Sequence, residues 1–433
     1  MEEKPNIILF ITHDQGQFLG CYNSSLMPNS LSTPNINRLA KSGVRFNNYF
    51  CTAPQCSPSR GSLMTGLYPH QNGLLGLVNL GWTLPENHKT LPMYLSENGY
   101  STHLLGLQHE SIDVSSLGYD KVSERIKSYK YTTKKMENKY IEFFEERAVD
   151  DKIFFVNIGT IEMHRPFVLW SDPVDSKYVK VPPFLPDNEM IREDLGLFYG
   201  SIENVDLAIG KILQSLEKLG LRKNTLFIYT TDHGSPFPRA KCTLYDPGIK
   251  IALVLNHPES EVFNRGKVIN GMISNVDLLP TILDLIGTKR PKMIEGKSFL
   301  PLLQNLYGTF RNEIYTEKTY HEIYDPMRSV RTENYKYIRN FESLDTLYQL
   351  PLDIKKGLSG KFIEETIKIP REEEELYNLE NDPNEKTNLI DDSTHIKILT
   401  NLRQKLMDWM IKTQDPLLQG RIKNERKKIS KIY

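Results

Sequence analysis

The sequence predicts an α/β fold in which a large, mainly parallel sheet is sandwiched by helices, with a smaller α+β subdomain at the C-terminal end. One observation favours the parallel sheet: in the first half of the chain, short apolar runs alternate with amphipathic segments. A second observation predicts the subdomain, because past about residue 310 the pattern changes to short strand-like pieces. We therefore expect a main domain over 1–310 and a C-terminal subdomain over 311–433.

The elements of the main domain can be placed from their apolar patterns. Five apolar runs are typical of buried strands: 6–12, 101–106, 153–158, 225–230 and 251–256. Helical spacing favours helices over 34–43, 59–66, 90–98, 132–148, 191–219 and 277–287, with a late helix near 395–412 in the subdomain. The first of these helices has a clear start, since Thr33 can cap it and Pro34 occupies the first helical position.

Histidine and aspartate side chains follow four of the predicted strands. They are His13 and Asp14, His109, His164, and Asp232 and His233. In open α/β sheets the loops beyond the carboxyl ends of the strands carry the ligands. We therefore expect these side chains to share one site.

The charge balance argues against a polyanionic partner. Lys plus Arg (54) equal Asp plus Glu (54), so no overall field attracts nucleic acid or an anionic membrane. The basic tail RIKNERKKISKIY has no basic surface upstream of it and is interpreted as a solvated end. The longest apolar runs are also far shorter than the roughly 20 residues that span a bilayer. We expect neither a nucleic-acid nor a membrane partner.

The N-terminal residues and the cysteine content bear on the compartment. The start, MEEKPNIILF, lacks the basic region and cleavage site of a secretory signal. Four cysteines without C-x-x-C pairing are too few for a disulfide framework in 433 residues. The expectation is a cytoplasmic chain as written, or one whose secretory signal was trimmed.

The segment CSPSR at 56–60, continuing GSLMTGLYPHQNG, resembles the sulfatase signature C-x-P-x-R. The resemblance implies the alkaline-phosphatase-like sulfatase fold and conversion of Cys56 to formylglycine by a maturation enzyme. The hydrated aldehyde would offer two hydroxyls, one to attack sulfur and one to expel the sulfate. Arg60, one turn further on, would hold this diol through its fork of donors. The alternative interpretation of Cys56 is an ordinary reduced cysteine at a helix start.

The resemblance also implies one divalent cation, which would offset the charge of the sulfate. The family places an Asp pair after the first strand and an Asp-Asn or Asp-His pair after a late strand. The matching positions, with the modified Cys56, are His13, Asp14, Asp232 and His233. His13 stands where most sulfatases have Asp, so it is either a ligand or a packing histidine. Ca²⁺ is the expected ion, although a site with two imidazoles would tolerate Mn²⁺ or Zn²⁺ better than a site of oxygen ligands alone.

Three further residues match positions that contact sulfate in the family. His109 and His164 correspond to the histidines that contact sulfate and protonate the leaving group. Lys241 corresponds to the basic residue that binds the sulfate and the bridging atom. Leu107 is a departure, since the family's G-K-x-H motif has lysine there and the pocket loses one positive charge.

Several stretches outside the signature are closest to the heparan N-sulfatases, notably TTDHGSPFPRAKCTLYDPG and YHEIYDPMRSVR. This similarity implies hydrolysis of the N-sulfate of glucosamine in heparan- or heparin-type glycans. His321 and Glu322 would then grip the sugar, and Arg328 would meet a second anionic group. The alternatives are an exposed polar pair in a loop and a surface arginine in a strand.

Three other functions fit parts of the same pattern. One is another sulfoester specificity, such as a carbohydrate O-sulfatase or an arylsulfatase. The second is a formylglycine-dependent phosphodiesterase or phosphonate hydrolase, because relatives with this fold use an Asp-His metal pair. The third is a catalytically silent protein that binds sulfated glycans, suggested by His13 and Leu107 in place of polar groups of the family.

Overall fold

A computed structural model describes residues 4–22, 31–123, 131–264, 266–304, 310–342, 350–366 and 371–427. Its strands are β1 (Asn6–Thr12), β2 (Val44–Phe46), β3 (Tyr49–Phe50), β4 (Ser101–Gly106), β5 (Lys121–Val122), β6 (Phe154–Gly159), β7 (Thr225–Thr231), β8 (Lys250–Ile251), β9 (Leu253–Asn256), β10 (Lys267–Ile269), β11 (Ile273–Ser274), β12 (Ile314–Tyr320), β13 (Tyr324–Arg331), β14 (Tyr335–Asn340) and β15 (Glu374–Asn378). Its α-helices are α1 (Pro34–Ser42), α2 (Cys56–Thr65), α3 (Pro69–Asn72), α4 (Leu91–Glu97), α5 (Thr133–Ala148), α6 (Glu189–Lys218), α7 (Asp246–Ile249), α8 (Leu278–Leu285), α9 (Leu300–Gln304), α10 (Leu352–Lys355), α11 (Leu358–Thr366) and α12 (Ile396–Lys412).

An eight-stranded sheet with the order β10-β2-β9-β7-β1-β6-β4-β5 forms the centre of the molecule. The run β7-β1-β6-β4-β5 is parallel throughout, and β9 is the strand that pairs antiparallel with both of its neighbours. The carboxyl ends of β1, β4, β6 and β7 therefore meet at one edge. The predicted α/β class with a mainly parallel sheet is confirmed.

Alternate side chains of β1 supply the cores on the two faces of this sheet, as the period of two in a strand requires. Ile7, Leu9 and Ile11 join one apolar cluster, which includes residues of α2, α4 and α8. Ile8 and Phe10 join the other, which includes residues of α1, α5 and α6. Both faces of the sheet are thus covered by helices.

The C-terminal part forms an antiparallel sheet with the order β12-β13-β14-β15, against which α12 packs. Leu402, Leu406 and Trp409 of α12 share an apolar cluster with Val330 and Tyr337 of this sheet. The smaller α+β part is confirmed, while the exact division at 310 stays a prediction. Among the described helices, none combines the length and apolar character needed to cross a membrane.

Two predicted elements differ from the structure in an informative way. The run 251–256 was expected to be one strand, but it is divided between β8 in a three-stranded sheet and β9 in the central sheet. The helix expected over 59–66 begins three residues earlier, at Cys56 itself. All ten residues of α2 are buried, so the helix lacks the alternation of exposed and buried faces that would have marked its first residue in the sequence.

Candidate active site

Cys56 is the first residue of α2 and is only 1% exposed. Its Sγ lies 3.3 Å from Nε2 of His233 and 3.6 Å from Oδ1 of Asp14. Burial and the nearby Asp14 carboxylate raise the pKa of the Cys56 thiol well above its usual value. The unmodified cysteine therefore stays protonated at neutral pH and is a poor nucleophile.

The residue before the cysteine ties this helix to the C-terminal sheet. The side-chain amide of Gln55 donates a hydrogen bond of 2.7 Å to the carbonyl of Tyr320, the last residue of β12. Gln55 is fully buried and has an extended backbone at the N-terminal end of α2. The start of α2 is thus fixed by both parts of the chain.

Asp232 lies directly after β7 and organises the floor of the site. Its Oδ1 accepts hydrogen bonds from the backbone N–H groups of Asp14 (2.9 Å) and His233 (2.8 Å). Its Oδ2 lies 3.0 Å from Nε of the fully buried Arg60. Burial raises the pKa of Asp232, but the neighbouring His13, His233 and Arg60 lower it by more than burial raises it. The carboxylate is therefore ionised.

His233 is held so that one nitrogen faces the carboxylates. Its Nδ1 is 2.9 Å from the carbonyl of Gly234, and a carbonyl can only accept, so Nδ1 carries the proton. Nε2 then faces Oδ1 of Asp14 at 2.8 Å. The second nitrogen of the ring is thus turned towards the carboxylates of the cluster.

His13 is fully buried, and neither ring nitrogen has a hydrogen-bond partner among the described residues. Its Nδ1 lies 3.1 Å from Oδ2 of Asp232. Burial lowers the pKa of His13 to about 4, so the ring is neutral and offers a lone pair. One ligand atom from each of His13, Asp14, Cys56 and Asp232 lies within 4.8 Å of the others. An imidazole without a hydrogen-bond partner, two carboxylates and a sulfur atom together form a set of ligands suited to a divalent cation.

Lys241 connects this cluster to Asp353. Its Nζ donates to Oδ2 of Asp14 at 2.6 Å and to Oδ2 of Asp353 at 2.9 Å. Burial lowers the pKa of Lys241, but Asp14 and Asp353 raise it well above the ordinary value. Lys241 is therefore a buried cation at neutral pH.

The two histidines predicted to contact sulfate lie beside His13. Their ring centroids are 5.8 Å (His109) and 5.7 Å (His164) from that of His13. Burial, with His13 and Arg60 nearby, lowers the pKa of His109 well below its usual value. In His164, Nδ1 lies 2.7 Å from the carbonyl of Arg165 and so carries a proton, which leaves Nε2 to face Oδ2 of Asp353 at 3.9 Å. His164 thus presents its second ring nitrogen towards a carboxylate.

A pocket of about 240 Å³ opens above these groups. It is lined by His13, Asn79, Leu107, His109, Ile161, His164, Arg165, Pro166, Leu169 and Trp170. Leu107 makes part of its wall apolar. A wider groove of about 680 Å³ shares Arg165 and Pro166 with the pocket and extends past Glu322 and Asp353. The two cavities together form a continuous open region beside the cluster.

The three residues predicted to bind the sugar differ in position: His321 is buried, Glu322 lines the groove, and Arg328 is buried in an ion pair away from both cavities. His321 is 7% exposed, and burial with nearby Lys241 and Lys318 lowers its pKa to about 3. The carboxylate of Glu322 lines the groove and accepts from the backbone N–H of Leu352 at 2.9 Å.

Arg328 is not brought to the pocket. Its guanidinium is fully buried, with Nε 2.5 Å from Oδ2 of Asp415 and a second nitrogen 3.1 Å from Oε2 of Glu317. These two carboxylates already neutralise it, so no face remains for a substrate anion.

Sequence reasoning missed Asp353, which lines the groove and lies beside Lys241 and His164. It comes from α10, more than a hundred residues beyond Lys241, and no motif marks it. Trp170, in the pocket wall, was also missed. Only the packing of α10 and the 163–170 loop against the sheet edge reveals either residue.

Comparison with known proteins identifies the family of the chain. Family models match residues 5–288 as sulfatase and residues 239–357 as the C-terminal part of N-sulphoglucosamine sulphohydrolase. An ulvan-active sulfatase of Formosa agariphila is 30% identical, over 98% of this chain and 83% of its own length. Human N-sulphoglucosamine sulphohydrolase is 28% identical, over 95% of this chain and 91% of its own.

Solved structures share the fold. One determined in complex with its substrate D-glucosamine-2-N,6-O-disulfate superimposes with a TM-score of 0.74 and 20% identity, covering 95% of this chain and 99% of that one. The architecture, the cysteine helix and the matched family model lead to one conclusion: the chain belongs to the sulfatase family and is a sulfuric ester hydrolase.

Proposed function

We propose that this sulfatase acts on sulfated carbohydrates and removes the N-sulfate of glucosamine in heparan- or heparin-type glycans. The observation that carries the proposal is the placement of Cys56, which lies at a helix N-terminus beside Asp14 and His233 and in one cluster with His13, a residue of the pocket lining. The carbohydrate class is supported by the relatives named for ulvan and for N-sulphoglucosamine. The N-sulfate is supported by the match of residues 239–357.

The nucleophile in this proposal is formylglycine made from Cys56. Once hydrated, its Cβ carries two hydroxyls near the present position of Sγ. One hydroxyl attacks sulfur, an S–O bond forms, and the S–N bond breaks. The second hydroxyl then loses its proton, the C–O bond to the sulfate breaks, and the aldehyde returns. Because sulfate leaves by C–O cleavage, the second step requires no attack of water on sulfur.

Lys241 and His164 are the proposed contacts for the leaving side of the substrate. The Lys241 ammonium can hold a sulfate oxygen while it remains paired with Asp14 and Asp353. Nε2 of His164 faces the pocket and can deliver a proton to the departing nitrogen. His109 is neutral at working pH, so its role is that of a hydrogen-bond donor to sulfate.

The side chains that would hold a divalent cation are those of His13, Asp14, Asp232, His233 and modified Cys56. Such a cation would neutralise sulfate charge and lower the pKa of the attacking hydroxyl. Two imidazoles beside two carboxylates suit first-row transition metals better than Ca²⁺, which prefers oxygen ligands. We therefore propose Mn²⁺ or Zn²⁺ ahead of the Ca²⁺ that the family resemblance implies.

A substrate panel tests the specificity. Purified protein carrying formylglycine is given N-sulfated glucosamine, N-acetylglucosamine 6-O-sulfate, an aryl sulfate and a phosphodiester, and released sulfate or phosphate is measured. We expect the highest kcat/KM on the N-sulfate. A higher value on either sulfate ester would assign an O-sulfatase or an arylsulfatase, and preference for the diester would assign a phosphodiesterase. Saturable binding of the glycan without any release would identify a silent binder.

A further inference from the structure

Asp353 lies in the C-terminal part of the chain and lines the groove that adjoins the pocket. Its Oδ2 lies 2.9 Å from Nζ of Lys241 and 3.9 Å from Nε2 of His164. Its side chain is 19% exposed and lines the groove that continues from the pocket. The carboxylate therefore lies beside the two groups that we place at the leaving side of the substrate.

The position of Asp353 is fixed by contacts at both ends of α10. The carboxylate of Glu322 accepts from the backbone N–H of Leu352 through both of its oxygens, at 2.9 and 3.2 Å. Ile354 is fully buried and packs with Leu350 and Ile363. Asp353 is thus held between an anchored backbone N–H and an apolar contact, which limits its movement.

Asp353 is charged and has capacity for a further partner. Burial raises the pKa of Asp353, but Lys241 and His164 lower it by more than burial raises it, so the carboxylate is ionised. Oδ2 accepts from Lys241, whereas Oδ1 has no hydrogen-bond partner within the described ranges of the chain. The available oxygen belongs to a side chain that borders the groove.

Hydrolysis of an N-sulfate and hydrolysis of an O-sulfate leave different groups on the sugar beside Asp353. Hydrolysis of an N-sulfate, R–NH–SO₃⁻ + H₂O, gives R–NH₃⁺ and SO₄²⁻, since the S–N bond breaks and the nitrogen takes up protons. Hydrolysis of an O-sulfate, R–O–SO₃⁻ + H₂O, gives a neutral alcohol and HSO₄⁻. Hydrogen bonds between two charged groups are roughly twice as strong as neutral ones. A carboxylate at the leaving side therefore favours the amine over the alcohol.

We propose that Asp353 is a specificity-determining residue whose available carboxylate oxygen pairs with the ammonium formed from an N-sulfate, so that N-sulfated sugars are preferred to O-sulfated ones. This inference rests on the proposed function, which supplies the substrate class. The competing account is that Asp353 only holds Lys241 in place. In that case its charge would matter equally for every sulfated substrate.

The variant Asp353→Asn keeps the shape of the side chain and removes its charge. We expect kcat/KM on N-sulfated glucosamine to fall at least about tenfold, which corresponds to ~1.4 kcal/mol, and kcat/KM on N-acetylglucosamine 6-O-sulfate to fall much less. Asp353→Glu, which restores the charge, should recover part of the lost ratio. Asp187→Asn removes a carboxylate that is also paired with a cation, Arg192, but on the surface, and should change neither value. An equal fall on both substrates for Asp353→Asn would overturn the proposal and leave Asp353 as a positioning residue for Lys241.

Binding of the products separates this inference from the proposed function. Calorimetry with the metal-loaded, formylglycine-bearing enzyme should give tighter binding of glucosamine than of N-acetylglucosamine below the pKa of the amine. The Asp353→Asn variant should lose this difference. A wild-type enzyme that releases no sulfate from N-sulfated glucosamine would refute the N-sulfatase function, yet the binding ratio would still decide whether Asp353 pairs with an amine. An unchanged ratio in the variant would refute that pairing.

Discussion

Nε2 of His233 lies 2.8 Å from Oδ1 of Asp14, while Nδ1 of the same ring faces the carbonyl of Gly234. In the same buried cluster lies the ring of His13, whose nitrogens have no hydrogen-bond partner among the described residues and whose Nδ1 is 3.1 Å from Oδ2 of Asp232. A bound cation would give these ring nitrogens and carboxylates a shared partner. The metal is therefore expected to contribute to stability as well as to chemistry.

Metal selection can be tested at His13. Elemental analysis of the purified protein should find Mn²⁺ or Zn²⁺, and removal with a chelator should lower the Tm because the orphaned ligands lose their partner. The variant His13→Asp adds an oxygen ligand and should raise Ca²⁺ affinity relative to Mn²⁺ by about tenfold or more. Calorimetric titration of each metal gives the ratio.

The control for this experiment is His88→Asp, at a position outside the metal cluster. It should leave both metal affinities unchanged. Tight Ca²⁺ binding by the wild-type protein, with Mn²⁺ and Zn²⁺ weaker, would show that His13 does not contribute a ligand.

Replacement of Cys56 by Ser should stop turnover after one half-reaction. The serine hydroxyl can take the sulfate group, but it lacks the second hydroxyl that would expel it. We expect no multiple turnover and a mass increase of one sulfate group on the protein after incubation with substrate. Cys56→Ala is the matched control and should show neither turnover nor the mass increase. Multiple turnover by the serine variant would contradict the diol mechanism.

The ion pair between Arg328 and Asp415 should contribute to stability rather than to substrate binding. Arg328→Met leaves Asp415 and Glu317 buried without their cation, and loss of one partner of a buried pair costs about 3–5 kcal/mol. Denaturant unfolding should show a decrease of this size. The KM of the remaining folded enzyme should stay near the wild-type value. A large rise in KM with unchanged stability would restore Arg328 to the substrate site.

Glu162 should make stability depend on pH. Burial raises its pKa from 4.5 to about 7, although Thr133 donates to it through the backbone N–H (2.5 Å) and the hydroxyl (2.7 Å). The folded state thus binds a proton more tightly than the unfolded state. This stabilisation is complete below pH 4.5 and is lost as the pH rises towards 7, by at most about 3 kcal/mol.

Glu162→Gln isolates this contribution, because the amide cannot titrate. Unfolding free energies measured between pH 5 and pH 8 should fall less steeply with pH for the variant than for the wild-type protein. Parallel curves for the two proteins would show that Glu162 does not titrate in this range.

The sequence was sufficient for the parts of the site that follow strands. The loops after β1, β4, β6 and β7 could be placed because apolar runs marked the strands and parallel strands end at one edge. Asp353 could not be placed, since its approach to Lys241 depends on how a short helix packs across the groove. Arg328 lies in a predicted strand-like piece, but its burial against Asp415 joins residues 87 positions apart, which local patterns do not report.

The burial of α2 also bears on when Cys56 can be modified. All ten of its residues are inaccessible, and Gln55 joins its start to the carbonyl of Tyr320, which is synthesised much later. For the proposed conversion of Cys56 to formylglycine, we therefore expect oxidation to take place before α2 packs into the core. A chain that folds before this oxidation is expected to keep its thiol.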